Sequence, residues 1–142
     1  MGRVKGNVGQ GWDRWREESP RRQLAAGVVP RGTRLTLRPE GIPAWDTLTP
    51  AHQAFAARTM EVAAAQLVFE DEQLGRVLDE LQRMGLADNT LFAVIQGDNG
   101  ASGEGGPNGT INELRSMAVH DEDDAWLEAN TDNVGVTLTY ET

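Results

Sequence analysis

An α/β architecture is predicted, in which one long amphipathic helix leads through a short turn into a single buried strand. Three observations carry it: a long stretch of helical periodicity opening at Thr49-Pro50, the turn signals Gly85 and Asp88-Asn89 behind it, and the unbroken apolar run Leu91-Phe92-Ala93-Val94-Ile95. A continuous run of that length reads as a strand covered on both faces, as in parallel sheets. No second run of equal quality pairs with it, so only part of a sheet is expected, and the remaining chain reads as helical and irregular.

The elements follow in order. Residues 1–48 form a strap with one short helix. Gln10 to Ala26 mixes Trp12, Trp15 and Leu24 with charges in a weak helical pattern, Pro20 predicts a kink or restart, and Gly27 is a stop. From Val28 to Leu48, Pro30, Gly32, Pro39, Gly41 and Pro43 impose extended connecting chain. Residues 49–86 form the long helix. Thr49 is its N-cap and Pro50 its first helical residue, and Met60, Ala64, Leu67, Leu74, Leu78 and Leu81 fall on one stripe with Asp71 in the gap. The acid there is expected either to pair with an arginine or to face water. Residues 91–109 supply the strand and a glycine-rich loop. Residues 110–142 form an acidic tail with short helices around Ile111 to Met117 and Asp121 to Asn130, frayed from Val134 onward.

Composition narrows the functional classes. The chain has 142 residues and a formal charge of -9, enough for one domain of ordinary size. Leu, Ile, Val and Phe make up about a fifth of it, close to the ~20% level below which chains tend to disorder, so a thin core is expected. Nine of the thirteen basic residues precede Glu40, but Asp13, Glu17 and Glu18 interrupt them, and the stretch after Gln96 is strongly acidic. Nucleic acid is therefore excluded as a partner. Without cysteine there are no disulfides, zinc-thiolate sites or thiol nucleophiles. No apolar run reaches the length of a membrane span, and Met1 to Gln10 lacks a signal-peptide core, so a soluble chain is expected, cytoplasmic or periplasmic.

The chemistry is expected at Gly97-Asp98-Asn99-Gly100, at the carboxyl end of the predicted strand, where open α/β sheets place ligands. Asp98 and Asn99 offer a carboxylate and a carbonyl oxygen, hard donors suited to calcium or magnesium, and the flanking glycines permit a sharp bend. Asp-Asn-Gly is also a common turn sequence, so the loop by itself leaves both readings open. A phosphate loop fits poorly, since there is no Gly-x-x-x-x-Gly-Lys and Glu104 stands where phosphate would lie. An EF-hand fails because the twelfth position from Asp98 is Gly109.

The block Val94-Ile95-Gln96-Gly97-Asp98-Asn99-Gly100-Ala101-Ser102-Gly103-Glu104-Gly105-Gly106 resembles the second metal-binding segment of bacterial arylsulfatases, type I sulfatases of the alkaline phosphatase superfamily. The resemblance extends through Gln10-Gly11-Trp12-Asp13, Arg38-Pro39-Glu40-Gly41-Ile42-Pro43-Ala44-Trp45-Asp46, Ala57-Arg58-Thr59-Met60-Glu61-Val62, Gly75-Arg76-Val77-Leu78-Asp79 and Gly109-Thr110-Ile111-Asn112-Glu113, and on to Trp126-Leu127. It implies a fragment of the sulfatase fold in which Asp98 and Asn99 bind a divalent cation, usually calcium. It also implies a sulfate ester as substrate of the full-length enzyme, attacked by a hydrated formylglycine made from Cys or Ser in a Cys/Ser-x-Pro-x-Arg motif. That motif is missing here, Ser19-Pro20-Arg21 lacks its spacing, and neither the family's two early aspartates nor its later sulfate-binding lysine is present. The chain alone is therefore expected to be inactive, a weak calcium binder and prone to self-association through its unpaired strand.

His52 reads as a solvated residue in the first helical turn rather than a catalytic one. His120, beside Asp121-Glu122-Asp123-Asp124, reads as part of a solvated helix start rather than a metal site. A different class, a non-enzymatic module presenting its Leu stripe to a partner, is the competing reading.

Overall fold

The computed structural model describes residues 9–95, 97, 109–111 and 122–135. Three α-helices appear among them: α1 (Trp12–Ala25), α2 (Pro50–Arg83) and α3 (Asp124–Asn130).

α1 buries no residue completely and is held from outside. Its Trp12 indole donates to the Pro43 carbonyl at 3.1 Å, and its Asp13 carboxylate accepts from the Trp45 backbone N–H at 2.8 Å. One Arg16 amino group donates to Thr36 and Leu37 carbonyls and the Thr36 hydroxyl, fastening the otherwise exposed strap. Pro20 does not divide the helix. The one backbone bond a proline forfeits is tolerated on an element tied down by side chains. α1 is closed off just beyond Ala25 by Gly27, whose N–H reaches the Leu24 carbonyl while Val28 N–H reaches Gln23.

Trp45 is buried in a 3-10 turn, Trp45–Thr47, with its ring edge-on to Trp12 at 4.9 Å between centroids. Gly11 makes this closure possible. Its φ of 82° lies in the left-handed region, and an added Cβ would stand 2.3 Å from the Trp45 ring. Gly11→Ala is therefore expected to lose about 1–3 kcal/mol and to detach α1 from the Trp45 turn. Red-shifted tryptophan emission and a lower urea midpoint would register it; unchanged emission and midpoint would contradict it.

α2 begins where local chemistry places it. Pro50 occupies the first position and the Thr49 side chain caps the His52 N–H. It ends in a Schellman turn, with Gly85 N–H bonded to Gln82 and Leu86 N–H to Leu81, Gly85 taking φ 70°. The core lies at its amino-terminal third. Phe55, Leu127 and Val134 are buried together, with Val62, Ile111 and Trp126 packed around them, and Ala51 buried one turn earlier. α3 lies against this face, capped by Asp123, which accepts from Trp126 N–H at 2.9 Å. Val134 is thus core, not frayed tail.

The predicted stripe is a different face. Phe55 and Val62 are separated by about 120–160° of helical rotation from Met60, Leu67 and Leu78. Leu67, Leu74 and Leu78 are exposed, and Asp71 faces water. Helical periodicity located an apolar stripe but not the one that α3 covers.

The predicted α/β class is corrected: the described residues contain helices and turns but no strand. Behind a 3-10 turn at Ala87–Asn89, Leu91 and Ile95 are 95% and 94% exposed. A strand is stable only when neighbours satisfy its backbone groups and cover its side chains. Nothing among the described residues does either for 91–95, so apolar content there does not become a sheet.

Candidate functional site

Asp98 and Asn99 lie outside the described residues, as do His120 and Asp121. The structure fixes what stands on either side of the glycine-rich loop. Downstream, Gly109 sits with its Cα side toward the Phe55 ring, Ile111 joins the core, and the Thr110 hydroxyl donates to Glu122 at 2.8 Å. The chain therefore returns from the carboxyl end of α2 to its amino-terminal third, a distance of about 40 Å at 1.5 Å per helical residue. The loop re-enters the fold at its best-packed point.

Three polar assemblies tie the described residues together, and the first two draw on the sequence blocks named above. In the first, Trp12, Asp13 and Trp45 bring Gln10-Gly11-Trp12-Asp13 against the Arg38 to Asp46 block, with Arg38 3.6 Å from the Asp13 carboxylate. Gln53 closes it by donating to the Trp45 carbonyl at 3.0 Å. In the second, Arg58 donates to the Val134 carbonyl at 3.3 Å and lies 3.8 Å from Glu61, while Thr59 donates to the Phe55 carbonyl. The Arg58 Nε is buried with no hydrogen-bond acceptor among the described residues.

The third joins the starts of α2 and α3. Asp124 lies 2.8 Å from His52 Nδ1 and accepts from the Thr49 hydroxyl at 2.9 Å, and that hydroxyl is 3.0 Å from the same ring nitrogen. Thr, His and Asp together suggest a nucleophile relay, but the geometry excludes it. A relay needs the hydroxyl on one ring nitrogen and the acid on the other. Here both partners share Nδ1, so the imidazole cannot pass a proton from Thr49 toward the acid. The assembly is a clasp between helix starts, with Asp124 in the first turn of α3 where its charge suits the dipole. Only the Thr49 cap to His52 was legible in sequence; Asp124 lies 75 residues from Thr49, and no spacing rule links them.

Among the described residues no three His, Asp or Glu side chains converge as a cation site. The donor chemistry of Asp98 and Asn99 suits a hard cation, but calcium takes about six to eight oxygens, so two such residues can form only part of a site.

The comparisons agree on one kind of protein. The chain is 36% identical over 104 residues to an uncharacterized sulfatase of Schizosaccharomyces pombe, covering 72% of this chain and 19% of that protein. It is 33% identical over 103 residues to an arylsulfatase of Klebsiella aerogenes, covering 70% of this chain and 21% of that protein. The chain thus spans about a fifth of the length of these curated relatives. A match over 70% of 142 residues cannot avoid the middle of the chain, so both include α2 and the sequence as far as Asp98. They bear out the resemblance to arylsulfatase-type sulfatases. No family model matches the sequence, and no solved structure matches it. No helix among the described residues is long and apolar enough to cross a membrane.

Proposed function

We propose that this chain, similar to one stretch of arylsulfatase-type sulfatases, supplies the second metal-binding segment of a sulfuric ester hydrolase, with Asp98 and Asn99 as two of the cation's oxygen ligands. The observation that carries this is the pair of sulfatase relatives, each aligned across α2 and as far as Asp98. The assemblies around Trp45 and Arg58 support it, because sequence blocks far apart in the chain meet there and hold the frame to which the loop returns. Calcium, when bound, would neutralise charge on the sulfate oxygens. The part of this chain is to hold two oxygens at a fixed place. Phe55, Ile111 and the Thr110 to Glu122 hydrogen bond anchor the loop's downstream end.

The 142 residues contain no Cys/Ser-x-Pro-x-Arg motif from which a formylglycine is made. Charge stabilisation and positioning do not substitute for a nucleophile. The purified chain is expected to show no aryl sulfate hydrolysis above background with or without calcium. Turnover that persists after contaminating sulfatases are removed would contradict this.

A second reading, a non-enzymatic helical interaction module, is favoured by one observation: the open Leu67, Leu74 and Leu78 stripe of α2. The neighbouring coding sequence discriminates the two. An adjoining frame encoding Cys-x-Pro-x-Arg supports the sulfatase, whereas unrelated flanking frames support the module.

A further inference from the structure

We infer that His52 is locked as the tautomer with its hydrogen on Nδ1, and that this lock closes a latch fastening the returning end of the glycine-rich loop to the start of α2. This does not rest on the sulfatase reading. A hydroxyl has one hydrogen to give and two lone pairs to receive. Thr49 gives that hydrogen to Asp124 at 2.9 Å and receives the His52 backbone N–H at 3.3 Å. Nothing is left over for the ring nitrogen, which stands 2.8 Å from the same carboxylate oxygen. An ionised carboxylate is an acceptor only, so the hydrogen between them belongs to Nδ1. Turning the Thr49 hydrogen onto Nδ1 instead would set the carboxylate against an imidazole lone pair at that distance. Moving the shared hydrogen to Asp124 is opposed as well, because an imidazole is the stronger base. The neutral Nδ1–H ring and the doubly protonated ring both satisfy the contact, whereas the Nε2–H tautomer breaks it. Nε2 makes no hydrogen bond among the described residues, so nothing at that end of the ring competes.

The lock matters because of where Asp124 stands in the chain. Three consecutive acids each hold a different partner. Glu122 receives the Thr110 hydroxyl at 2.8 Å, just beyond the glycine-rich loop. Asp123 caps α3 through the Trp126 N–H at 2.9 Å. Asp124 holds Thr49 and His52 at the start of α2. Consecutive Cα atoms are about 3.8 Å apart, so a shift of Asp124 is passed to the other two. The end of the loop, the start of α3 and the start of α2 are thereby joined through one short run of carboxylates.

Nitrogen NMR of the imidazole rings in the intact chain tests the lock, with His52 assigned by its loss in His52→Gln. Under alkaline conditions, where imidazole rings are neutral, the protonated nitrogen of His52 is expected to be Nδ1, and Asp124→Ala is expected to move it to Nε2. Hydrogen exchange tests the latch at the Trp126 and Leu127 amides, which bond to the side chain and carbonyl of Asp123. Asp124→Ala and His52→Gln are expected to speed their exchange roughly two- to fivefold, the size fitting for partly exposed polar contacts. His52→Asn is expected to leave it nearly unchanged, since an asparagine amide nitrogen takes the place of Nδ1 and a glutamine nitrogen that of Nε2. Helix propensity alone ranks glutamine above asparagine and predicts the opposite order. A neutral His52 protonated on Nε2 in the unmodified chain would overturn the inference, as would exchange that follows the propensity order or variants indistinguishable from the unmodified chain.

Discussion

Replacing Phe55 by alanine is expected to cost about 3–5 kcal/mol, enough to release α3 and the tail from α2. The effect is large because the core is small. Phe55 is buried with Leu127 and Val134, and its ring also backs Gly109, where the glycine-rich loop rejoins the fold. Truncation would leave a cavity with few neighbours able to collapse into it. The clasp of His52, Thr49 and Asp124 lies at the surface, where polar contacts compete with water and contribute little by comparison. Helical content is a poor reporter, since the 34-residue α2 retains much of its signal after α3 has gone. Trp126, packed against the core, is a better one. The expected result is loss of cooperative unfolding in its emission for Phe55→Ala, with substantial recovery in Phe55→Leu. A Phe55→Ala chain that unfolds at the original urea midpoint would show that the tail is held by something other than this cluster.

Asp98→Ala is expected to weaken calcium binding at least about a hundredfold once the segment stands in a complete ligand set. A carboxylate supplies both charge and an oxygen donor, and calcium affinity follows the number and charge of its ligands. Asn99→Ala removes a neutral carbonyl oxygen and should weaken binding less. Titration calorimetry on a sulfatase carrying Val94 to Gly106 in place of its own segment would measure both. Equal affinities before and after Asp98→Ala would make the loop an ordinary Asp-Asn-Gly turn.

Features governed by neighbours along the chain were legible in sequence, and features governed by distant partners were not. Thr49-Pro50 and Gly85 bound α2 because capping and left-handed backbone are local chemistry. The Leu91 to Ile95 run has the composition of a buried strand, but a strand is a relation between segments, and the described residues supply no neighbour for it. The stripe of α2 is legible as apolar, but which face α3 covers is not, because periodicity reports a direction around the helix and not what lies there. Asp98 and Asn99 were marked by donor chemistry and by resemblance, whereas the Thr49, His52 and Asp124 clasp gave no signal beyond the cap.

The most direct test of the sulfatase assignment is aryl sulfate turnover by the Klebsiella aerogenes arylsulfatase in which the corresponding segment is replaced by Val94 to Gly106 of this chain. Calcium-dependent turnover is expected to survive the exchange and to be abolished when Asp98→Ala is introduced into the graft. A folded graft without turnover, or with turnover indifferent to Asp98→Ala, would contradict the assignment of this segment to a sulfatase metal site.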